Sequence, residues 1–192
     1  MNKSLSGWLI AGGLFAWALA FVVGRKERQQ NTAVITHPEQ TANQDQDMQT
    51  ETSLPRGYRN NNPLNIRISN NKWQGKVARS ENTDGVFEQF VSMAYGYRAA
   101  MVLIRNYINK YGCDTLTKII TRWAPPSENN TASYIANVAK RMGVSPADYI
   151  SPNDKDQMTS LMYAMSISEN GSKVLPDGYA INQAWELLNA SA

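Results

Sequence analysis

The sequence is poor in histidine and cysteine, and each shortage excludes a class of chemistry. One histidine, His37, and one cysteine, Cys113, occur in 192 residues. A single cysteine excludes an intrachain disulfide. His37 lies in a polar stretch that we interpret as a linker. The folded part therefore has no histidine for a catalytic triad or a zinc site. Carboxylates remain as acid–base groups, and we expect no cofactor and no metal.

Strong positive charge is also missing. The formal net charge is +3 and the isoelectric point is near 9.0. This is too mild for a dedicated nucleic-acid binder, and the basic residues are dispersed, so no specific nucleic-acid partner is expected. The charge still suits an anionic lipid or cell-wall polymer.

A long apolar run occurs only at the N-terminus, over Leu5–Gly24. Its length of about 20 residues matches a bilayer core. Arg25, Lys26 and Arg28 follow at once, which favours an uncleaved anchor over a signal peptide. We therefore predict one N-terminal transmembrane helix with a basic flank over residues 1–28. The excess of positive residues after the run places the rest of the chain on the cytoplasmic side.

The remainder divides into a flexible polar linker over residues 29–54 and a globular domain over residues 55–192. Apolar residues recur every three or four positions over Ser92–Tyr111, which predicts a helix closed by Gly112. Further helices are predicted after Asp114 or Thr115, after Asn130 or Thr131, over about Asn153–Ser168 and over about Tyr179–Leu188. With loop and short strand up to Phe90, the fold class is mainly α (α+β), with a small loop/β lobe at the front.

Asparagine is concentrated in "RGYRNNNPLNIRISNNKWQG", which spans Arg56–Gly75. Amides beside an aromatic ring suit sugars, which combine hydroxyl groups with an apolar C–H face. Asn62, Asn65 and Trp73 are therefore candidate substrate-binding residues. The alternative is that Asn-Asn-Asn-Pro is turn chemistry, in which the amides bond locally.

A second stretch, "RWAPPSENNTASYI", repeats the combination with Trp123, Glu128 and Asn130 around a Pro-Pro corner. Glu128 is either held near a groove by that corner or is a solvated loop acid.

In the third stretch, "SLMYAMSISENGSK", Glu169 follows Met165 by four residues and so continues the apolar face of a helix. Such a setting favours the neutral carboxyl that a general acid for glycosidic cleavage requires. The alternative is that Glu169 is solvated at the frayed C-terminal end of the helix.

These motifs carry a resemblance. "NNNPLNIR", then W-x-G, F-x-x-F and G-x-R-A, then "RWAPPSENNTASYI" and a late E-N-G resemble a set in phage virion proteins. Those proteins are usually described as structural, and some are thought to degrade peptidoglycan. The part "NPLNIR…WQG…FEQF" is also similar to the bacterial glucosaminidase and lytic transglycosylase group. The resemblance implies a lysozyme-like helical domain.

The chain departs from that group in one respect. In the group the catalytic glutamate precedes the asparagine segment, whereas here only the linker precedes Asn60. We expect a circular permutation in which Glu169 takes the place of the missing acid, because domain termini often lie close together.

The resulting hypothesis is a membrane-anchored phage virion protein that cleaves peptidoglycan glycan strands, as a lytic transglycosylase or glycosidase, when the phage enters its host. Its partners would be peptidoglycan, the membrane and other virion proteins. It would lie in a virion internal membrane or the host inner membrane, with the domain on the cytoplasmic or capsid-facing side. Glu169 would be the acid and Glu128 the second carboxylate. The predicted substrate-binding residues are Asn62, Asn65, Trp73, Trp123 and Asn130.

Two alternatives stay open. One is a non-catalytic virion protein that binds glycan or links membrane to capsid. The other is a bacterial envelope enzyme that remodels its own wall.

Overall fold

The computed structural model of the chain describes residues 54–190. Within that range the chain forms six helices: α1 Arg56–Arg59, α2 Met93–Tyr111, α3 Leu116–Trp123, α4 Thr131–Met142, α5 Lys155–Asn170 and α6 Gly178–Asn189. The predictions of the last five helices are confirmed, and α1 was not predicted.

Polar side chains begin most of these helices, as the sequence suggested. Thr115, Asn130 and Asp154 each accept a hydrogen bond from a backbone N–H in the first turn of their helix. Such caps satisfy donors that the helix itself leaves unpaired. At the other end of α2, Gly112 is left-handed, as predicted. Gly171, which follows α5, has φ 78° and ψ 174°, a conformation that only glycine adopts without strain.

The core surrounds α2, which packs against α6 and also contacts α3 and α5. Helix α2 contributes Tyr97, Met101 and Ile104 to the core, and all three side chains are fully buried. The predicted apolar face of α5 lies opposite and is also buried: Met158, Leu161, Met162 and Met165. Each such side chain contributes roughly 1.5–3 kcal/mol relative to exposure. This packing holds α5 rigidly, including its last turn.

The predicted fold class is wrong. Residues 54–190 contain six helices and no strand, rather than an α+β lysozyme-like domain with a β lobe. In the front segment, antiparallel pairing is limited to isolated bridges, Arg67 with Phe87 and Lys76 with Phe90. Side chains bond the backbone there in place of a continuous ladder. The amide of Asn62, for example, bonds the Ile66 N–H and the carbonyls of Ile66 and Glu88.

A buried ion pair supports the same segment. Lys76 Nζ lies 2.9 Å from Glu88 Oε1, and the Glu88 side chain is 1% exposed. The same carboxylate oxygen accepts a hydrogen bond from the Ser69 N–H, and Lys76 also donates to the Ser69 carbonyl. A buried charge is tolerated only when it is paired and hydrogen-bonded in this way. The front segment therefore has a polar core of its own.

The predicted membrane anchor over residues 1–28 lies outside the described residues, as does the predicted linker up to residue 53. Among residues 54–190, no helix is both long and apolar enough to cross a membrane. The predicted domain boundaries stay predictions.

Acid should weaken the attachment of α1 to the front segment. Asp84 accepts hydrogen bonds from both Nε (2.6 Å) and Nη2 (2.7 Å) of Arg56 and from Asn60 (2.7 Å). The Arg56 guanidinium holds the pKa of Asp84 well below its usual range. Because the folded pKa lies below the unfolded value of about 3.9, this stabilisation is present above about pH 4 and is lost as the pH falls further.

Asp84→Asn should therefore lower the free energy of unfolding at pH 7, and the difference from wild type should shrink between about pH 5 and pH 2. Urea unfolding of both proteins at a series of pH values measures this difference in the free energy of unfolding. The matched control is Asp156→Asn, at an exposed position in the first turn of α5. A difference from wild type that stays constant down to pH 2 would contradict the role of Asp84.

Candidate functional site

Glu169, in the last turn of α5, joins three separate parts of the chain. Its Oε2 accepts a hydrogen bond from Asn65 Nδ2 at 3.1 Å. Its Oε1 accepts hydrogen bonds from Trp123 Nε1 at 3.1 Å and from the Tyr134 hydroxyl at 2.9 Å. The side chain is half-buried. Three neutral donors thus fix both oxygens of one carboxylate.

Asn65 reaches Glu169 because of the way the asparagine loop, residues 60–66, is folded. Asn65 itself is left-handed, with φ 51°, a conformation that asparagine tolerates better than most residues. Its N–H donates to the Asn62 carbonyl at 2.9 Å. The Asn62 side chain is fully buried and bonds within the loop and to Glu88. The structure thus places Asn62 inside the loop rather than in a groove.

Asn170 fastens the end of α5 to this loop. Its Nδ2 donates to the Pro63 carbonyl at 2.7 Å and to the Ser166 carbonyl at 2.9 Å. Gly57 of α1 packs beside this contact. A Cβ at position 57 would collide with Asn170 Oδ1 and would lie 3.1 Å from Asn65 Oδ1. Asn65 Oδ1 is buried and accepts no hydrogen bond among the described residues. Glu169 is therefore held beside Asn65 by its neighbour in sequence.

The Pro-Pro corner positions the other two donors. Trp123 is the last residue of α3, and Tyr134 lies in the first turn of α4. The buried Thr131 hydroxyl donates to the Ala124 carbonyl at 2.6 Å, which closes the corner. Burial raises the pKa of the Tyr134 hydroxyl well above its usual range, and the Glu169 carboxylate raises it further. Tyr134 is therefore a neutral donor at physiological pH.

A cleft of about 270 Å³ lies next to this centre. Asn65 and Trp123, which both bond Glu169, also line it, and Trp73 and Tyr107 complete its aromatic wall. The indole Nε1 of Trp73 is buried and has no hydrogen-bond partner within residues 54–190. Aromatic faces beside amide groups can contact the apolar and hydroxyl surfaces of a sugar.

The remaining predicted site residues lie at the surface. Glu128 is exposed and pairs with Arg67, which lines the cleft, at 3.5 Å. Asn130 is exposed, and its Oδ1 accepts a hydrogen bond from the Ser133 N–H as the cap of α4. The structure thus brings together Glu169, Asn65 and Trp123, with Trp73 in the same cleft. It leaves Asn62 in the interior and Asn130 in a helix cap.

Sequence reasoning did not single out Tyr134, Asn170 or Gly57. The available signal for Tyr134 was its spacing, three residues after the predicted helix start at Thr131. This spacing fixes the side of α4 on which the ring lies. Nothing in the sequence marks Asn170 as a contact to Pro63.

Gly57→Ala should loosen this arrangement, because the added methyl group displaces the Asn170 side chain from the Pro63 carbonyl. We expect a loss of about 1–3 kcal/mol in the free energy of unfolding, as for other overpacked positions. Urea unfolding measures it. Gly178→Ala is the matched control, because a Cβ there meets no atom within 4 Å. Equal stability of the two variants would show that the fit at Gly57 is unimportant.

No family model matches the chain. A curated protein, protein P5 of Pseudoalteromonas phage PM2, is 38% identical over 120 residues, which cover 61% of this chain and 72% of that protein. This similarity supports the predicted assignment to phage virion proteins. It does not extend to a lysozyme-like domain or to the lytic transglycosylase group. The chain belongs to the family of protein P5 of phage PM2.

Proposed function

We propose that this phage protein is a virion component that cleaves the glycan strands of peptidoglycan, with Glu169 as the general acid. The observation that carries the proposal is the position of Glu169. The carboxylate is anchored by Asn65, Trp123 and Tyr134 beside a cleft whose lining includes aromatic and amide side chains. Glycosidic cleavage needs a fixed carboxyl group beside a bound sugar.

The hydrogen bonds indicate which oxygen transfers the proton. A carboxylate oxygen has two acceptor positions. Oε1 uses both, for Trp123 and Tyr134, whereas Oε2 accepts only from Asn65. The proposal therefore places the acidic proton on Oε2, from which it passes to the glycosidic oxygen as the C–O bond breaks.

The cleft would hold the sugar rings that the cleaved C–O bond joins. Trp73 and Trp123 offer aromatic surface, and Asn65 offers an amide that already bonds the acid. We assign Asn62 to supporting the loop, because its amide is committed there. Asn130 is assigned to the helix cap for the same reason.

The groups that bond Glu169 are an amide, an indole and a phenol, and none is a second carboxylate. Glu128 is paired with Arg67 at the exposed rim. We therefore favour attack by the substrate's own N-acetyl group, a mode known for some glycosidases. Glu169 would then act first as acid and afterwards as base, and an anhydro sugar would be the product if the sugar's own hydroxyl closes the ring.

One observation favours a second candidate, a non-catalytic virion protein that binds glycan. The three hydrogen bonds of Glu169 tie the asparagine loop, α3, α4 and α5 together. These structural hydrogen bonds alone would explain the position of Glu169, without a catalytic role. The relationship to a phage protein, in turn, favours both candidates over a bacterial envelope enzyme.

Muropeptide release from purified peptidoglycan, followed by mass spectrometry, tests the proposal. Glu169→Gln keeps the shape of the side chain but removes the proton donor, so we expect release to fall by about 10²–10⁴-fold. Glu128→Gln is the matched control and should stay within about threefold of wild type, because an exposed ion pair contributes little.

Thermal unfolding of each variant shows whether lost release reflects lost structure. If the wild-type protein is inert and yet sediments with peptidoglycan, the non-catalytic candidate replaces the enzyme. If Glu128→Gln is the inactive variant, the roles of the two carboxylates are wrongly assigned.

A further inference from the structure

A second groove adjoins the cleft and has a different chemical character. It is a cavity of about 390 Å³ whose lining includes Lys72, Lys110 and Arg122 and contains no carboxylate. Asn71 and Trp73 line both this groove and the cleft beside Glu169, so the two spaces are contiguous. A ligand that lies in the cleft therefore has a positively charged surface beside it.

The three cations of the groove are exposed, and within residues 54–190 none of them forms an ion pair with a carboxylate. Clustered charges of one sign create a potential that attracts a ligand of the opposite sign. The cations of this groove are thus available to a ligand.

Aromatic rings orient one of these cations. The guanidinium carbon of Arg122 lies 3.8 Å from the centre of the Tyr111 ring and 4.9 Å from that of Tyr107. Stacking occupies the face of the guanidinium and leaves its N–H edge for hydrogen bonds. That edge suits the two oxygens of a carboxylate. Lys72 and Lys110 add two point charges on the same groove.

We propose that this groove binds the carboxylates of the peptide stems that peptidoglycan carries on alternate sugars. The inference rests on the proposed function, because it places the glycan in the adjacent cleft. The sugar rings themselves present hydroxyl and amide groups, which match the cleft. The stems present free carboxylates, which match Lys72, Lys110 and Arg122. The substrate class is therefore stem-bearing glycan rather than bare glycan.

Binding, rather than cleavage, tests this inference separately from the proposed function. The full chain carrying Glu169→Gln is titrated calorimetrically with two soluble glycan fragments of equal length. One fragment keeps its peptide stems. The other has lost them to an amidase, and the lactyl carboxylates that the amidase leaves on the sugars have been converted to amides. We expect the stem-bearing fragment to bind about tenfold more tightly, which corresponds to about 1.4 kcal/mol. Raising the salt concentration to about 0.5 M should reduce this preference.

The decisive variant adds Lys72→Gln and Lys110→Gln, which leave Arg122 in place and should lower the preference to about threefold or less. The matched control adds Lys140→Gln and Lys173→Gln instead. Both lysines are exposed and form no ion pair within residues 54–190, so the same charge is removed and the preference should be kept.

If both fragments bind equally and the Lys72 and Lys110 substitutions change nothing, the stem site is wrong while glycan recognition stands. If neither fragment binds, both the stem site and the proposed function fail. If a DNA oligonucleotide instead binds more tightly than either fragment and depends on Lys72 and Lys110, the groove serves nucleic acid and the inference is overturned.

Discussion

The arrangement of the site depends on one hydrogen bond, from the Asn170 amide to the Pro63 carbonyl. It is 2.7 Å long and joins residues that are 107 positions apart in sequence. A second bond from the same amide to the Ser166 carbonyl holds Asn170 against its own helix. The asparagine loop and the end of α5 are thus fastened directly to each other. The carboxylate of Glu169 is then within reach of Asn65 without any further adjustment.

This contact is effective because both of its partners are rigid. On one side, the methionine- and leucine-rich face of α5 is buried in the core, where α5 contacts α4, α6 and α2. On the other, Asn62 and the pair of Glu88 with Lys76 fix the loop through buried polar contacts. Buried polar groups that are all satisfied specify one conformation, because any alternative leaves a donor or acceptor without a partner. The front of the molecule therefore combines buried polar contacts with the buried apolar residues Leu64, Ile66 and Phe90, whereas apolar packing dominates at the back.

The same division explains how much could be predicted from the sequence. Helical periodicity and capping residues predict α2 to α6 well, because both signals are local. For the front segment, the sequence predicts loop and short strand up to Phe90, whereas the structure has no strand between residues 54 and 90. Its actual order depends on side-chain bonds such as Asn62 to Glu88, which local patterns do not encode. The candidate acid could be named from its place on an apolar helix face, whereas its donors Trp123 and Tyr134 depend on how α3 and α4 turn at the Pro-Pro corner.

The proposed function requires that Asn65, Trp123 and Glu169 form a glycan-binding centre and not only a structural junction. A crystal structure of the Glu169→Gln variant with a soluble peptidoglycan fragment tests it most directly. We expect sugar rings to occupy the cleft lined by Trp73 and Trp123, with a glycosidic oxygen within about 3.2 Å of the side chain at position 169. A fragment bound elsewhere on the protein, or a cleft left empty at a saturating concentration of the fragment, would contradict it.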